Sequence, residues 1–424
     1  MEKNSKVCVG YEVGKEYCQI CLYSPEMGLE PVSIATVLGG DRIRIPFLLA
    51  KKAKIEQWYY GEEAEKQVEQ QEALLVEGFY EKAINQEKIL LDGKEYQAEL
   101  LFQMYIKKSL SLLIAHIPLE NISHCTFCME ELGRREVALW KRTCEALPVL
   151  KGKSSLISYS EGFAYYSAFQ EEKVWERGVL LLEYDGEILR GKSLQISKRT
   201  IPYLIQVTEQ ESCVLEPADN KFFEVAKGLL GTIRAGTVYL VGEGFQEMWY
   251  TETLKLLCQG RRVFKGQNLY GLGAVQYAKM KVEEKGQHCL YLGEQQIKVN
   301  FFLKAVDRGQ EVDYEILSGE LHWYEGEKYL EVIADREKEI VVYARGLDGK
   351  LEEEIKVPLV DFPLREDKAT RLGVKIYFED TDIGIVEVKD LGFGEIYPST
   401  GKVWVEGFDL QQMQERLNGS LTKV

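Results

Sequence analysis

Val179-Leu180-Leu181-Leu182-Glu183-Tyr184-Asp185-Gly186-Glu187-Ile188 is the stretch that decides the fold. A wholly apolar run that stops on an acid, turns through Tyr184-Asp185-Gly186 and resumes at Ile188 has the pattern of a buried strand entering a tight hairpin. The start of the chain does the same: Val7-Cys8-Val9 leads to Glu12, a turn at Gly14-Lys15-Glu16 and a second strand, Tyr17 to Tyr23. An internal duplication is the simplest explanation.

Outward from the first copy, Val32 to Val37 continues an antiparallel meander, followed by Ile45-Pro46-Phe47-Leu48-Leu49 and an aromatic strand at Trp58-Tyr59-Tyr60. A helix from about Ala98 to Ile114, a strand His124 to Met129, a helix Glu131 to Cys144, a strand Ser154 to Tyr159 and a helix Glu161 to Phe169 follow. The second copy continues with a helix near Asn220 to Leu230, a strand Val238 to Val241, a Gly242-Glu243-Gly244 turn and helices Gln246 to Cys258 and Gly271 to Val282. Strand and helix alternating at this spacing predict parallel pairing in an α/β sheet.

After Gly286 the hydrophobic period changes to two, through Lys298 to Leu303, Tyr329 to Ile333, Ile340 to Ala344, Glu354 to Pro358, Val374 to Phe378, Ile385 to Val388 and Val403 to Val405. Val374, Ile376 and Phe378 share one face and Lys375, Tyr377 and Glu379 the other, as in a half-solvated antiparallel sheet. The expected organisation is an α/β core over 1–285, in subdomains of about 1–176 and 177–285, and a β-rich domain over 286–424 with a short terminal helix from Leu410 to Leu417. The polar Glu283-Glu284-Lys285 marks the junction.

Across 424 residues, 45% of them hydrophobic, there is ample material for folded cores, and a net charge of −15 disfavours nonspecific attraction to nucleic acid or anionic lipid. No apolar run reaches the ~18 residues of a spanning helix and no signal core opens the chain, so cytoplasm is the expected compartment. Nine cysteines scattered through apolar segments fit a reducing setting. Cys18-Gln19-Ile20-Cys21 and Cys125-Thr126-Phe127-Cys128 have zinc-like spacing, yet each lies in a strand-like run, where residues three apart face opposite ways and cannot grip one ion. His116, His124, His288 and His322 form no ligand or catalytic pattern, and no GxSxG elbow or GxxxxGK[ST] loop is present. No catalytic residues and no metal ligands are assigned.

With these residues in hand, the stretch from about Val7 to Val282 resembles the superfamily of actin, sugar kinases and seventy-kilodalton heat-shock chaperones, closest to the chaperone branch. Gly10-Tyr11-Glu12-Val13-Gly14-Lys15-Glu16-Tyr17 resembles the chaperone first phosphate loop, which has Asp at the place of Glu12 and Thr at those of Lys15 and Glu16. Trp58-Tyr59-Tyr60-Gly61-Glu62-Glu63-Ala64 is similar to the Val-Gly-x-x-Ala segment, and Ser158-Tyr159-Ser160-Glu161-Gly162-Phe163-Ala164 to the Asn-Glu-Pro-Thr-Ala-Ala connector, keeping its Glu as Glu161. Leu182-Glu183-Tyr184-Asp185-Gly186-Glu187 falls at the Asp-Leu-Gly-Gly-Gly-Thr loop, Leu240-Val241-Gly242-Glu243-Gly244-Phe245 at the adenosine motif, and Gly271-Leu272-Gly273-Ala274 at the final connector. The resemblance implies a duplicated ribonuclease H-like, actin-like ATPase core, followed by a sandwich-like domain where the chaperones bind substrate. It also implies a remnant nucleotide cleft of Gly10, Glu12, Gly14, Lys15, Glu16, Glu183, Asp185, Gly186, Gly242 and Gly244.

The departures fall where chemistry happens. Phosphates are cradled by glycine-loop N–H groups and hydroxyls, whereas here Glu16 replaces a hydroxyl and Asp185 and Glu187 flank Gly186. A carboxylate ~4 Å from a phosphate charge costs ~1 kcal/mol in water and ~4 kcal/mol at an effective dielectric near 20. Between Gly186 and Gly242 there is also no room for the lobe that closes over the base in the chaperones. The expectation is a chaperone-like pseudo-ATPase scaffold that needs no cofactor and binds a protein or peptide, with neither nucleic acid nor membrane as partner. The alternative is a divergent active ATPase in which Glu12, Glu183 and Asp185 hold Mg²⁺ and MgATP is the cofactor. A sugar-kinase-like phosphotransferase is disfavoured, since no acid can be placed as substrate base.

Overall fold

The computed structural model describes residues 6–28, 30–36, 40–283, 289–335, 337–362, 365–366 and 368–418. The chain divides into two compact units, Met1–Gly293 and Glu294–Val424. It is mixed α/β, built on several sheets.

The first unit contains one topology twice. In the first sheet β1 (Val7–Val13) is flanked by antiparallel β2 (Tyr17–Tyr23) and by parallel β5 (Ile122–Met129). Next to β2 run β3 (Val32–Ser33) and β4 (Arg44–Pro46), and β6 (Ser154–Ser158) lies parallel to β5. In the second sheet β7 (Val179–Tyr184) takes the place of β1, with β8 (Ile188–Ser197) and β9 (Tyr203–Glu209) antiparallel on one side. Parallel β10 (Thr237–Val241) and β11 (Arg262–Lys265) lie on the other. Helices fall at matching points: α1 (Ala98–Leu110), α2 (Arg134–Ala146) and α3 (Tyr159–Ala168) in the first copy, α4 (Asp219–Thr232), α5 (Thr251–Leu257) and α6 (Leu269–Glu283) in the second. β1 and β7 are the central strands, covered on both faces, which is why they read as unbroken apolar runs.

Between β4 and α1 the first copy inserts two small sheets and two short helices, whereas residues 186–242 of the second hold only the rest of its sheet, the two-residue strand Cys213–Val214 and α4. The expected helix from Gln246 to Cys258 begins only at Thr251. Trp249 and Tyr250 are drawn instead into an aromatic cluster with Tyr184, Phe222 and Phe245, and the Trp249 indole donates to the Gly244 carbonyl.

The expected junction at Gly286 lies in 284–288, outside the described residues. The next stretch, β12 (Cys289–Tyr291), pairs parallel to β9 and so extends the second sheet, placing 289–293 with the first unit. The Glu294–Val424 unit has two four-stranded antiparallel sheets. One orders Gln310–Leu317, Val299–Asp307, Glu339–Gly346 and Glu352–Pro358; the other Lys328–Ala334, Thr370–Phe378, Ile383–Asp390 and Val403–Asp409. Val374, Ile376 and Phe378 are buried, as the period-two pattern predicts, and Leu410–Asn418 is the terminal helix.

The two copies meet where α3 crosses α6 through glycines. A Cβ on Gly273 would lie 1.9 Å from the Gly162 carbonyl oxygen, and one on Gly10 would lie 2.2 Å from that of Gly271. Backbone rather than a movable side chain is the obstacle. Gly273→Val is therefore expected to cost ~3 kcal/mol or more, lowering the melting midpoint of the full chain by roughly 6–12 °C. Calorimetry reads this, and a shift under a degree or two would show that the crossing yields.

Candidate functional site

The crevice that the resemblance implies falls at the ends of β1 and β7, where each central strand places one acid. Glu12 is buried, and its carboxylate accepts the Gly271 N–H at 3.2 Å, in the first turn of α6. N–H groups there have no intrahelical partner, and the helix dipole favours negative charge beside them. Glu183 accepts the Tyr270 hydroxyl at 2.8 Å. The Tyr270 ring stacks on Tyr159 with centroids 4.0 Å apart, and the Tyr159 hydroxyl donates to the Val13 carbonyl at 2.8 Å. Two consecutive residues of α6 thus hold both strand-end acids, and the stacked tyrosine pair lies close to both.

Burial pushes the Glu12 carboxyl up to about 8; nearby Glu183 adds to the rise, while the Gly271 N–H, Arg44 and Tyr17 oppose it. Glu183 is also raised by burial, against the Tyr270 hydroxyl and Lys192. Across the strands Glu12 pairs in register with Gln19, and Gln19 with Arg44. Gln19 is fully buried; its amide nitrogen donates to the Gln267 carbonyl at 2.7 Å and its Oε1 has no partner. The Arg44 guanidinium lies 4.4 Å over the Tyr17 ring and pairs with Glu243 of the second copy.

The remaining expected cleft residues mostly serve the fold. Gly14 N–H closes the first hairpin on the Tyr17 carbonyl at 2.8 Å; exposed Lys15 pairs with Glu130 at 3.3 Å; the Glu16 carbonyl accepts Phe47 N–H at 2.8 Å. Asp185 turns back on its own loop: Oδ1 accepts the N–H groups of Glu187 at 2.9 Å and Ile188 at 2.7 Å, and Oδ2 pairs with Arg190 at 2.9 Å. Against a desolvation that raises it, these bonds hold the carboxyl below its ordinary value. Gly186 supplies the positive φ of the turn, +111°. Gly242 and Gly244 give Tyr184 its space, since a Cβ on either would lie 2.2 Å from Tyr184 atoms. Tyr184 in turn donates to the Leu215 carbonyl at 2.6 Å.

Tyr17, Gln19, Arg44, Tyr159 and Tyr270 were not among the expected site residues. Gln19 was the nearest to legible, as the lone polar residue inside Tyr17-Cys18-Gln19-Ile20-Cys21-Leu22-Tyr23. The cysteine pairs do lie in strands: Cys18 sits with Tyr11 and Tyr105, Cys21 against Gly271 and Ser33, and burial pushes both thiols up to about 12. Cys125 and Cys128 are buried in β5, with thiols well above the ordinary value. Among the described residues no three His, Cys, Asp or Glu side chains group so as to hold a metal ion. A cavity of about 550 Å³ lies outside the crevice, lined by Thr36, Arg42, Glu62, Glu65 and Leu112 among others.

Residues 30–294 match the C-terminal model of a family of unknown function, DUF5716. The chain belongs to the DUF5716 family. Residues 296–410 match a separate domain of unknown function, DUF8552. In this DUF5716 chain the two matched regions abut where the two compact units divide, at Gly293 and Glu294. No curated protein matches it. Among the described residues no helix is long and apolar enough to cross a membrane.

Proposed function

We propose that the chain is a chaperone-like pseudo-ATPase scaffold, an actin-like core without efficient ATP turnover that binds a protein or peptide partner. The observation that carries this reading is the occupation of the crevice by the protein's own groups. Glu12 and Glu183 face inward at equivalent strand ends, but one is bonded to Gly271 N–H and the other to the Tyr270 hydroxyl, close to the Tyr159–Tyr270 stack. A metal held through water and a phosphate chain need both acids free and ionised, and the space above them open. The use of Gly242 and Gly244 to pack Tyr184 supports the same reading, as does the short 186–242 segment.

The repeated strand order and the equivalent acids favour a second reading, a divergent active ATPase in which closure around MgATP displaces Tyr270. A ligand at a hundred times its dissociation constant stabilises the native state by ~2.7 kcal/mol, several degrees of melting midpoint. We expect no such shift with millimolar MgATP or MgADP, and no phosphate release above background. A clear shift, with hydrolysis abolished by Glu12→Ala or Glu183→Ala, would establish the active enzyme instead.

A further inference from the structure

We infer that the open face of the sheet formed by Lys328–Ala334, Thr370–Phe378, Ile383–Asp390 and Val403–Asp409 docks a second copy of this chain, face to face about a two-fold axis. One side of this sheet is core, with Leu372, Val374, Ile376, Val386 and Val388 buried. The other side is not the polar surface that a solvated antiparallel face usually carries. Tyr329, Ile333, Ile383, Val403 and Val405 stand on it, all of them exposed, Val405 at 55% and Ile333 at 58%. Half-buried Tyr377 and Ile385, paired across the two middle strands, link them. Tyr329 lies over Gly373, where a Cβ would come 2.7 Å from its hydroxyl oxygen, so the face stays low and open. A contiguous apolar patch on an exposed sheet marks an interaction surface.

The strand register determines what fits this face. Across the four strands one row runs Tyr329, Lys375, Glu387, Val405, and the next Glu331, Gly373, Lys389, Val403; on the other side of the first row Tyr377 pairs with Ile385, and Ile385 with Gly407. A two-fold axis along the strands, between Thr370–Phe378 and Ile383–Asp390, turns each row over onto itself in reverse order. Lys375 then meets Glu387 of the second copy, Tyr329 meets Val405, and Tyr377 meets Ile385. Lys389 meets Gly373, with Tyr329 and Glu331 beside it. Opposite charges fall together, apolar groups fall together, and no like charges stand opposite one another in these rows. Such self-complementarity is what an isologous pair requires and what a foreign partner does not. Within one copy Lys375 already pairs with Glu327 at 2.9 Å and Arg371 with Glu331 at 3.6 Å, so the charges set the register more than the affinity. Strands of seven to nine residues, four abreast, give a projected area of about 450 Å² per copy. Side-chain relief enlarges this, so a pair buries on the order of 1,000 Å² or more, the range of a specific but modest interface. Sheets stacked face to face keep their strands within about 30° of each other, which preserves these row contacts.

Sedimentation velocity of the full chain at about 50 µM, above the micromolar dissociation constant that an interface of this size supports, should show a dimer. Lys375→Glu sets Glu against Glu387 at both symmetric contacts, and Glu387→Lys sets Lys against Lys375, so either variant alone should weaken the dimer about tenfold or more. Mixed in equal amounts, the two variants meet with opposite charges at both contacts, and the dimer should return to within about threefold of the wild-type dissociation constant. Mixing cannot repair a folding defect, so this recovery separates docking from stability. If either charge variant fails to fold, Val405→Glu carries the test, since it alters only an exposed edge position and should dissociate the dimer with little change in melting midpoint. A wild type that stays monomeric at about 50 µM, which would leave the face to a foreign partner, would overturn the proposal. So would a dimer left intact by these substitutions, or two folded charge variants that remain monomeric when mixed.

Discussion

Asp390→Ala should destabilise the Glu294–Val424 unit by about 3–5 kcal/mol, the largest single-residue effect expected in the chain. Asp390 is fully buried, and Arg365, its side chain 4% exposed, meets it with two parallel bonds of 2.8 Å. The same carboxylate accepts Gly392 N–H at 3.0 Å and both the N–H and the hydroxyl of Thr400 at 2.8 Å. Four protein groups thus converge on one charge and pin the 391–402 loop to its strand. Removing Asp390 leaves a guanidinium buried without a counter-ion and three further donors unmet. A buried pair is costly to break and less costly to replace, so Arg365→Met with Asp390→Leu should lose less than the sum of the single changes.

Against desolvation, Arg365, Thr400 and Gly392 hold the Asp390 carboxyl well below the usual carboxylate range. A depressed folded pKa contributes stability that is fully present at neutral pH and is lost as pH falls below ~4. Denaturant titrations of wild type and Asp390→Asn at pH 7 and pH 3 should therefore converge toward the acid end. A constant gap would contradict the assignment.

Glu12→Gln should stabilise the protein under alkaline conditions, the reverse of the usual cost of altering a buried polar residue. Folded Glu12 keeps its proton up to about 8, while the unfolded chain gives it up near 4.5. Between those values the native state binds more protons than the unfolded state, so stability declines as pH rises through the window. At ~1.36 kcal/mol per pH unit the decline amounts to at most ~5 kcal/mol by pH 8. Glutamine retains an oxygen to accept the Gly271 N–H and has no charge to desolvate. Its stability should match wild type near pH 5 and exceed it by ~2–4 kcal/mol at pH 9. Parallel pH profiles would mean that Glu12 ionises freely in the fold.

The duplicated core was legible because β1 and β7 are buried on both faces and must be apolar except at the ends where they place Glu12 and Glu183. The β unit was legible for the opposite reason: one solvated face forces alternation, as in Val374, Ile376 and Phe378. The crevice was less so. Tyr159 and Tyr270 lie in different copies, and neither stands out within its own helix, so only the crossing of α3 and α6 brings their rings together. Gly242 and Gly244 fit a ligand-approach pattern and a packing pattern equally well, and the deciding Tyr184 lies at the end of the neighbouring strand β7, far away in sequence. The sequence marks Asp185 as an obstacle to phosphate; that it satisfies its own loop follows only from the turn geometry.

The central claim, that the protein's own groups fill the crevice, meets its most direct test in calorimetric titration of the full chain with MgATP at pH 7.5. No measurable heat of binding is expected up to millimolar nucleotide, and Tyr270→Phe, which releases Glu183 while keeping the ring stack, should leave the wild type's silence unchanged. A micromolar dissociation constant in the wild type, weakened a hundredfold by Glu183→Ala, would contradict the account.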